Sequence, residues 1–205
     1  MQQIQLIFQI AVIIISIVAH ELSHGYTAYF LGDRTAKYAG RLTINPIKHM
    51  ELFGSVIVPI LSVALGGIVF GWAKPVPYNP YNLRVAKYGE VLVAIAGPIA
   101  NFVIALVFAL YIRFAGIDIN SPLGQISSLI VLVNLTLTFF NLMPLPPLDG
   151  SKILWGIMPY KWGALKATLE RNMIAFMLIV ILFVSFILDP LVISMFKIMT
   201  GHQLN

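Results

Sequence analysis

His20-Glu21-Leu22-Ser23-His24 interrupts a run, Ile4 to Phe30, that is otherwise overwhelmingly apolar. That run has the length and character of a membrane-crossing helix. On a helix, imidazoles four residues apart differ by about 40° around the axis, so both leave the same face. Two nitrogen donors so placed suit one zinc ion, and H-E-x-x-H is the spacing that zinc-binding helices use. Glu21, beside the first ligand, is then the candidate general base for a water at the metal. Copies of this short pattern in soluble helices are mostly solvated faces. Within an apolar helix that explanation weakens, because ionisable groups at bilayer depth are costly unless paired or metal-bound. The pattern still needs a third ligand from elsewhere in the chain.

Composition sets the class. Of the 205 residues, 59% are hydrophobic and only 10% are charged, with a mean hydropathy of +0.90, far from the soluble average. The chain reads as a polytopic membrane protein. No Lys or Arg precedes the first apolar run and no small-residue cleavage site follows it, so that run is expected to be a retained span rather than a removed signal peptide. Without cysteine, disulfides and thiolate zinc sites are excluded, and any ligands must be His, Asp or Glu. The formal charge of +5 does not indicate nucleic-acid binding, because the basic residues lie in short loops and report topology.

Beyond the first helix, Gly32 to Glu51 is polar. Gly40-Arg41-Leu42-Thr43-Ile44-Asn45-Pro46 alternates in character, so a short strand or hairpin is expected there. Residues 53–70 are apolar but interrupted by Pro59 and Gly66-Gly67. Gly71-Trp72-Ala73-Lys74-Pro75-Val76-Pro77 is a rigid extended stretch. Val91 to Phe114 is a clear span, and Gln125 to Asn141 is another. A polar loop with Lys152, Lys161, Lys166 and Arg171 leads to a last apolar run, Met173 to Met199, broken at Asp189-Pro190. No internal repeat is present.

Charge placement bears on residues 53–70. If they cross the membrane, Lys and Arg divide seven to six between the two sides; if they dip in and return, eleven face only Arg113 and Lys197. Short-loop positive charge marks the cytoplasm, so the sequence favours four spans plus a re-entrant element, with the N-terminus outside and five spans as the alternative.

Asp149 is the best partner for the two histidines. Pro144, Pro146 and Pro147 end the helix before it, and a carboxylate at a broken helix end is how membrane proteins build ion sites. His20, His24 and Asp149 would leave a fourth position open, as in catalytic zinc. The alternative, that Asp149 merely caps the helix from Gly150, loses ground once a histidine pair stands elsewhere in the bilayer.

The chain resembles the site-2 proteases, a family of intramembrane zinc metalloproteases. The resemblance rests on His20-Glu21-Leu22-Ser23-His24-Gly25, on Ala96-Gly97-Pro98-Ile99-Ala100-Asn101-Phe102, and on Asn141-Leu142-Met143-Pro144-Leu145-Pro146-Pro147-Leu148-Asp149-Gly150, with order and separation both matching. The Gly71 to Pro77 stretch looks like the compact bacterial branch that lacks an inserted PDZ domain. The resemblance implies one zinc ion per chain held by His20, His24 and Asp149, with Glu21 as base. It implies that Asn141 contacts the substrate or the oxyanion. It also implies a transmembrane protein or peptide as substrate, a role in regulated intramembrane proteolysis, and a bacterial cytoplasmic membrane with the site open to the cytoplasm.

The expected fold is an all-α polytopic membrane protein. Four to five transmembrane helices, a re-entrant segment and short strand-like loops surround a three-helix catalytic core, and residues 1–205 form a single intramembrane metalloprotease domain. An extended substrate could pair with backbone near Gly40–Pro46 or Gly71–Pro77. His49 and His202 read as ordinary interfacial or tail histidines and Asp189 as a residue at a helix end, while Asn101 stays open between a functional role and a small polar contact between helices. Trp72, Trp155 and Trp162 read as interfacial anchors. The competing functions are a membrane zinc transporter, which would need a polar route to both faces and often a repeat, and a non-catalytic binding protein of the same family, against which the intact Glu21 argues.

Overall fold

The computed structural model describes residues 2–51, 54, 57, 73–85 and 88–203. Helix α1 (Gln2–Phe30) carries the first histidine pair, followed by a short α2 (Thr35–Tyr38). Two long helices, α3 (Gly89–Phe114) and α4 (Pro122–Asn141), come next. The chain ends with α5 (Asp149–Ile157), α6 (Gly163–Arg171) and α7 (Met173–Thr200). Three helical stretches, Ile7–Phe30, Gly89–Phe114 and Pro122–Asn141, are long and apolar enough to cross a membrane. The chain is a multi-pass membrane protein.

Local chemistry sets the ends of these helices. At the close of α1 the Asp33 N–H reaches back to the Ala28 carbonyl at 2.9 Å and the Gly32 N–H to that of Tyr29 at 3.0 Å. Gly32 has φ +109°, and this is the helix-closing arrangement that needs a residue without Cβ. Helix α4 starts at Ser121, whose hydroxyl accepts from the Gly124 N–H at 3.0 Å, with Pro122 in the first turn.

Helix α3 is central. It packs on α1, α4, α5 and α7. Its small residues Ala105 and Ala109 are fully buried with Ile112, against Val131 and Leu135 of α4 and Val192 and Phe196 of α7. In a bilayer close approach of this kind supplies the van der Waals packing that holds helices together, since lipid is as apolar as the side chains. Outward positions such as Ile15 (68% exposed) and Val107 (57%) are bare apolar surface suited to lipid.

Several expectations need correction. Among the described residues there is no strand. The Gly40–Pro46 segment has no ladder partner; it bends, with the Arg41 N–H on the Ala36 carbonyl, into a 3-10 turn at Pro46–His49 capped by Asn45. The supposed polar loop after Asp149 is largely helical, forming α5 and α6. The last apolar run is not broken at Asp189-Pro190: α7 continues through both, and the exposed Asp189 lies inside the helix rather than at its end. One proline removes one backbone donor, and the packing of Leu188, Val192 and Phe196 carries the helix across that gap. The proposed re-entrant segment, 53–70, falls almost wholly outside the described residues, as do Gly71 and Trp72.

Candidate metal centre

The three predicted ligands meet. His20 and His24 leave one face of α1 and are 6% and 9% exposed, while Asp149 in the first turn of α5 is 7% exposed. The His20 Nε2 lies 3.1 Å from Asp149 Oδ2, the His24 Nε2 lies 3.0 Å from that same oxygen, and the two Nε2 atoms are 3.0 Å apart. The donor atoms therefore form a nearly equilateral triangle.

The outer nitrogens explain why such a triangle needs a cation. His20 Nδ1 lies 2.6 Å from Asn101 Oδ1, and His24 Nδ1 lies 2.7 Å from the Val93 carbonyl. Both partners are acceptors, so each Nδ1 carries the proton and each neutral ring turns the lone pair of Nε2 inward. Two lone pairs and a carboxylate oxygen facing one another at this range repel. A positive ion between them reverses the sign. Tetrahedral zinc ligands at their usual bond lengths stand about 3.3 Å apart, within a few tenths of an ångström of the edges found here. The donor set fits zinc.

Neighbouring helices build the cradle. A Cβ at Gly97 of α3 would come within 2.5 Å of His24 Nε2 and 2.6 Å of His20 Cε1, so only glycine lets α3 lie against the imidazoles. Asn101, one turn on, is fully buried, and it does more than touch a neighbouring helix. Its Nδ2 donates to the Ser16 carbonyl at 3.2 Å and to Asn134 Oδ1 at 2.8 Å, which turns its own Oδ1 toward His20. The amide of Asn134 in turn donates to the Ser16 hydroxyl at 2.9 Å. Lys152 Nζ is 3.6 Å from Asp149 Oδ1, the carboxylate oxygen turned away from the histidines. Lys152 also sits 5.5 Å above the centre of the Tyr78 ring.

Glu21 is only partly buried, and its Oε2 accepts from the Val76 N–H at 2.8 Å. Asn141 is the last residue of α4, and its Nδ2 donates to the Leu137 carbonyl at 2.9 Å. Among the described residues no hydrogen bond joins it to the three ligands. His49 is 2% exposed, and its Nε2 donates to the Thr43 carbonyl at 2.8 Å.

Sequence reasoning missed Ser16, Asn134, Asp33 and the Val76 amide. Asn134 and Ser16 stand in apolar helices at positions where polar side chains need partners, which is the one signal that could have found them. A backbone amide leaves no such signal.

A model of peptidase family M50 matches residues 8–120 and 118–185. YwhC of Bacillus subtilis, named as a candidate zinc metalloprotease, is 36% identical over 195 residues, covering 90% of this chain and 85% of its own. The zinc metalloprotease MJ0392 of Methanocaldococcus jannaschii is 32% identical over 155 residues, covering 75% of this chain but 35% of its own. Rip2 of Mycolicibacterium smegmatis, likewise named as a candidate zinc metalloprotease, is 31% identical over 137 residues, with 67% of this chain and 52% of its own covered. No solved structure matches the chain.

Proposed function

The chain belongs to peptidase family M50, the site-2 protease family, and from that premise we propose that it cleaves peptide bonds in or beside transmembrane helices of membrane-bound substrates. The observation that carries this reading is the triangle of His20 Nε2, His24 Nε2 and Asp149 Oδ2, with edges of 3.0–3.1 Å, beside an intact Glu21. Zinc held there supplies Lewis acidity, which acidifies water and polarises a carbonyl.

The chain's own residues do the rest. Glu21 takes the proton of the attacking water on its carboxylate as the new C–O bond forms, and returns it to the nitrogen of the departing amine as the peptide C–N bond breaks. Asn141 turns its amide from the Leu137 carbonyl toward the developing oxyanion, whose charge a buried donor stabilises strongly. Asn101 and the Val93 carbonyl hold the two imidazoles in a single tautomer throughout.

Residues 1–205 act as one catalytic domain in this reading. The 28-residue α7 makes a fourth crossing beside the three apolar spans, being about 42 Å long at the usual helical rise. The site opens toward the cytoplasm of a bacterial cell, the side to which a topology of four crossings assigns eleven of the 13 Lys and Arg. Regulated intramembrane proteolysis is the use this arrangement suits.

The deciding experiment compares wild type with Glu21→Ala on a panel of model transmembrane substrates in detergent, with bound zinc assayed in both. The expected result is cleavage by wild type only, with about one zinc per chain in each. A wild type that holds zinc and cleaves nothing overturns the protease reading in favour of binding or transport.

A further inference from the structure

We infer that the extended segment 73–79 positions Glu21 by presenting it with one backbone donor, the Val76 N–H, and that Arg41 and Asp33 are the clamps that hold this segment in place. The inference rests on Glu21 acting as the base proposed above.

The Val76 N–H lies 2.8 Å from Glu21 Oε2, and Val76 is 5% exposed. Pro75 and Pro77 flank it, and neither has a backbone N–H. Over these three residues the segment therefore offers a single donor, so a slip of one residue would leave Glu21 with none. The side chain of Val76 packs where α1 has Gly25, one turn beyond Glu21. A Cβ at Gly25 would come within 2.9 Å of Val76 Cγ1 and 2.6 Å of Leu42 Cδ2.

Both ends of the segment are tied down. On one side Arg41, 7% exposed, donates from Nη2 to the Lys74 carbonyl at 2.7 Å and the Pro75 carbonyl at 3.3 Å. The Lys74 N–H also reaches the His49 carbonyl at 2.9 Å. On the other side the fully buried Asp33 accepts from the Asn79 N–H at 2.7 Å and from Asn82 Nδ2 at 3.0 Å. Four backbone groups within residues 74–79 are thus fixed by Asp33, Arg41 and His49. Holding one carboxylate oxygen fixes the plane of Glu21 and leaves the other oxygen to carry the proton. Orientation of this kind matters because misplacement of a reacting group by about 1 Å costs on the order of a hundredfold in rate.

Two measurements test the arrangement. The first is amide hydrogen exchange on the zinc-loaded, detergent-purified full chain, comparing wild type with Glu21→Ala. Within Pro75–Pro77 only Val76 has an exchangeable amide. It is expected to exchange at least tenfold faster in the variant, while the Asn79 amide keeps its rate. An unchanged Val76 rate overturns the inference whatever the activity. The second compares Val76→Pro, which deletes the donor, with Val76→Ala, which keeps it. The proline variant is expected to hold about one zinc per chain, to keep KM within about twofold, and to lose at least tenfold more kcat than the alanine variant. Equal losses in kcat overturn the positioning role. If Val76→Pro does not fold, the exchange measurement decides alone. A fully active Glu21→Ala would instead remove the premise that Glu21 is the base, and the exchange result would still report on the contact.

Discussion

Asn101 Oδ1 lies 2.6 Å from His20 Nδ1, and the two residues are 81 positions apart in the chain. The pair joins α3 to α1 and fixes which nitrogen of His20 faces Asp149. Behind it Asn134 of α4 fixes Asn101 in turn, so a single buried chain of hydrogen bonds takes His20 and Ser16 from α1 and one asparagine each from α3 and α4. Buried networks of this type rigidify a site when every member is satisfied.

Replacing Asn101 with Leu removes the acceptor for His20 and leaves its ring free to turn. Loss of such an outer partner weakens metal affinity by about 10- to 100-fold. Competition for zinc against a graded series of chelators should show that drop, with helical content unchanged. Asn134→Leu should show a smaller loss in the same direction, because it acts through Asn101. An Asn101→Leu variant that holds zinc as tightly as wild type would sink this account of His20.

Gly97→Ala tests the cradle. The added methyl would meet both imidazoles at 2.5–2.6 Å, closer than real Cβ atoms come to their neighbours. Alanine is a better helix former than glycine, so α3 itself should not suffer. The expected variant is folded and helical by circular dichroism but holds well under half an equivalent of zinc and cleaves nothing. Full zinc occupancy would mean that α3 can stand off from α1 without disturbing the site.

Metal removal should destabilise the fold as well as stop the reaction. A cation held by all three donor atoms, which lie 3.0–3.1 Å apart, ties α1 to α5, and its removal loses that tie. Binding that favours the folded state adds about 4 kcal/mol at a thousandfold excess over Kd. Thermal unfolding in detergent should therefore show Tm rising with added zinc in wild type. In His24→Ala, which removes one of the three acceptors, Tm should barely respond.

Asp33 gives the loop region a pH dependence of known sign. Burial works against ionisation, but hydrogen bonds from the Thr35 hydroxyl, the Asn82 amide and the backbone N–H groups of Asn79 and Thr35 outweigh it, holding the carboxyl below the usual carboxylate range. A depressed folded pKa stabilises fully above the unfolded value of about 3.9, and the contribution fades as pH falls through the folded value. Protection of the Asn79 amide, corrected for intrinsic exchange, should thus be flat above about pH 5 and decline in more acidic solution. In Asp33→Asn it should start lower and change little over that range. A wild type that shows no decline would place the Asn79 anchor elsewhere.

Much of the site was legible before any fold. His20 and His24 share a face because helical periodicity is local, and a six-residue window is enough to read it. Asp149 could be singled out because prolines break the helix before it and carboxylates are rare in this chain. The apolar runs gave α1, α3 and α4 to within a few residues. The errors came where local pattern and long-range partner disagree. Alternation at Gly40–Pro46 suggested a strand that had nothing to pair with, and Asp189-Pro190 suggested a break that packing on α7 overrides.

The sequence by itself determined that this is a membrane protein with two histidines on one face of an apolar helix, because hydropathy and the 100° step of a helix are properties of neighbouring residues. Only the tertiary structure decided what orients that helix's chemistry. His20 is set by Asn101, Asn101 by Asn134 and Ser16, and Glu21 by the amide of Val76, across separations of 81, 33, 85 and 55 residues. Such contacts depend on which helices lie side by side and at what height. A backbone N–H is present at nearly every residue, so nothing in the letter at position 76 announces that its donor is the one Glu21 uses.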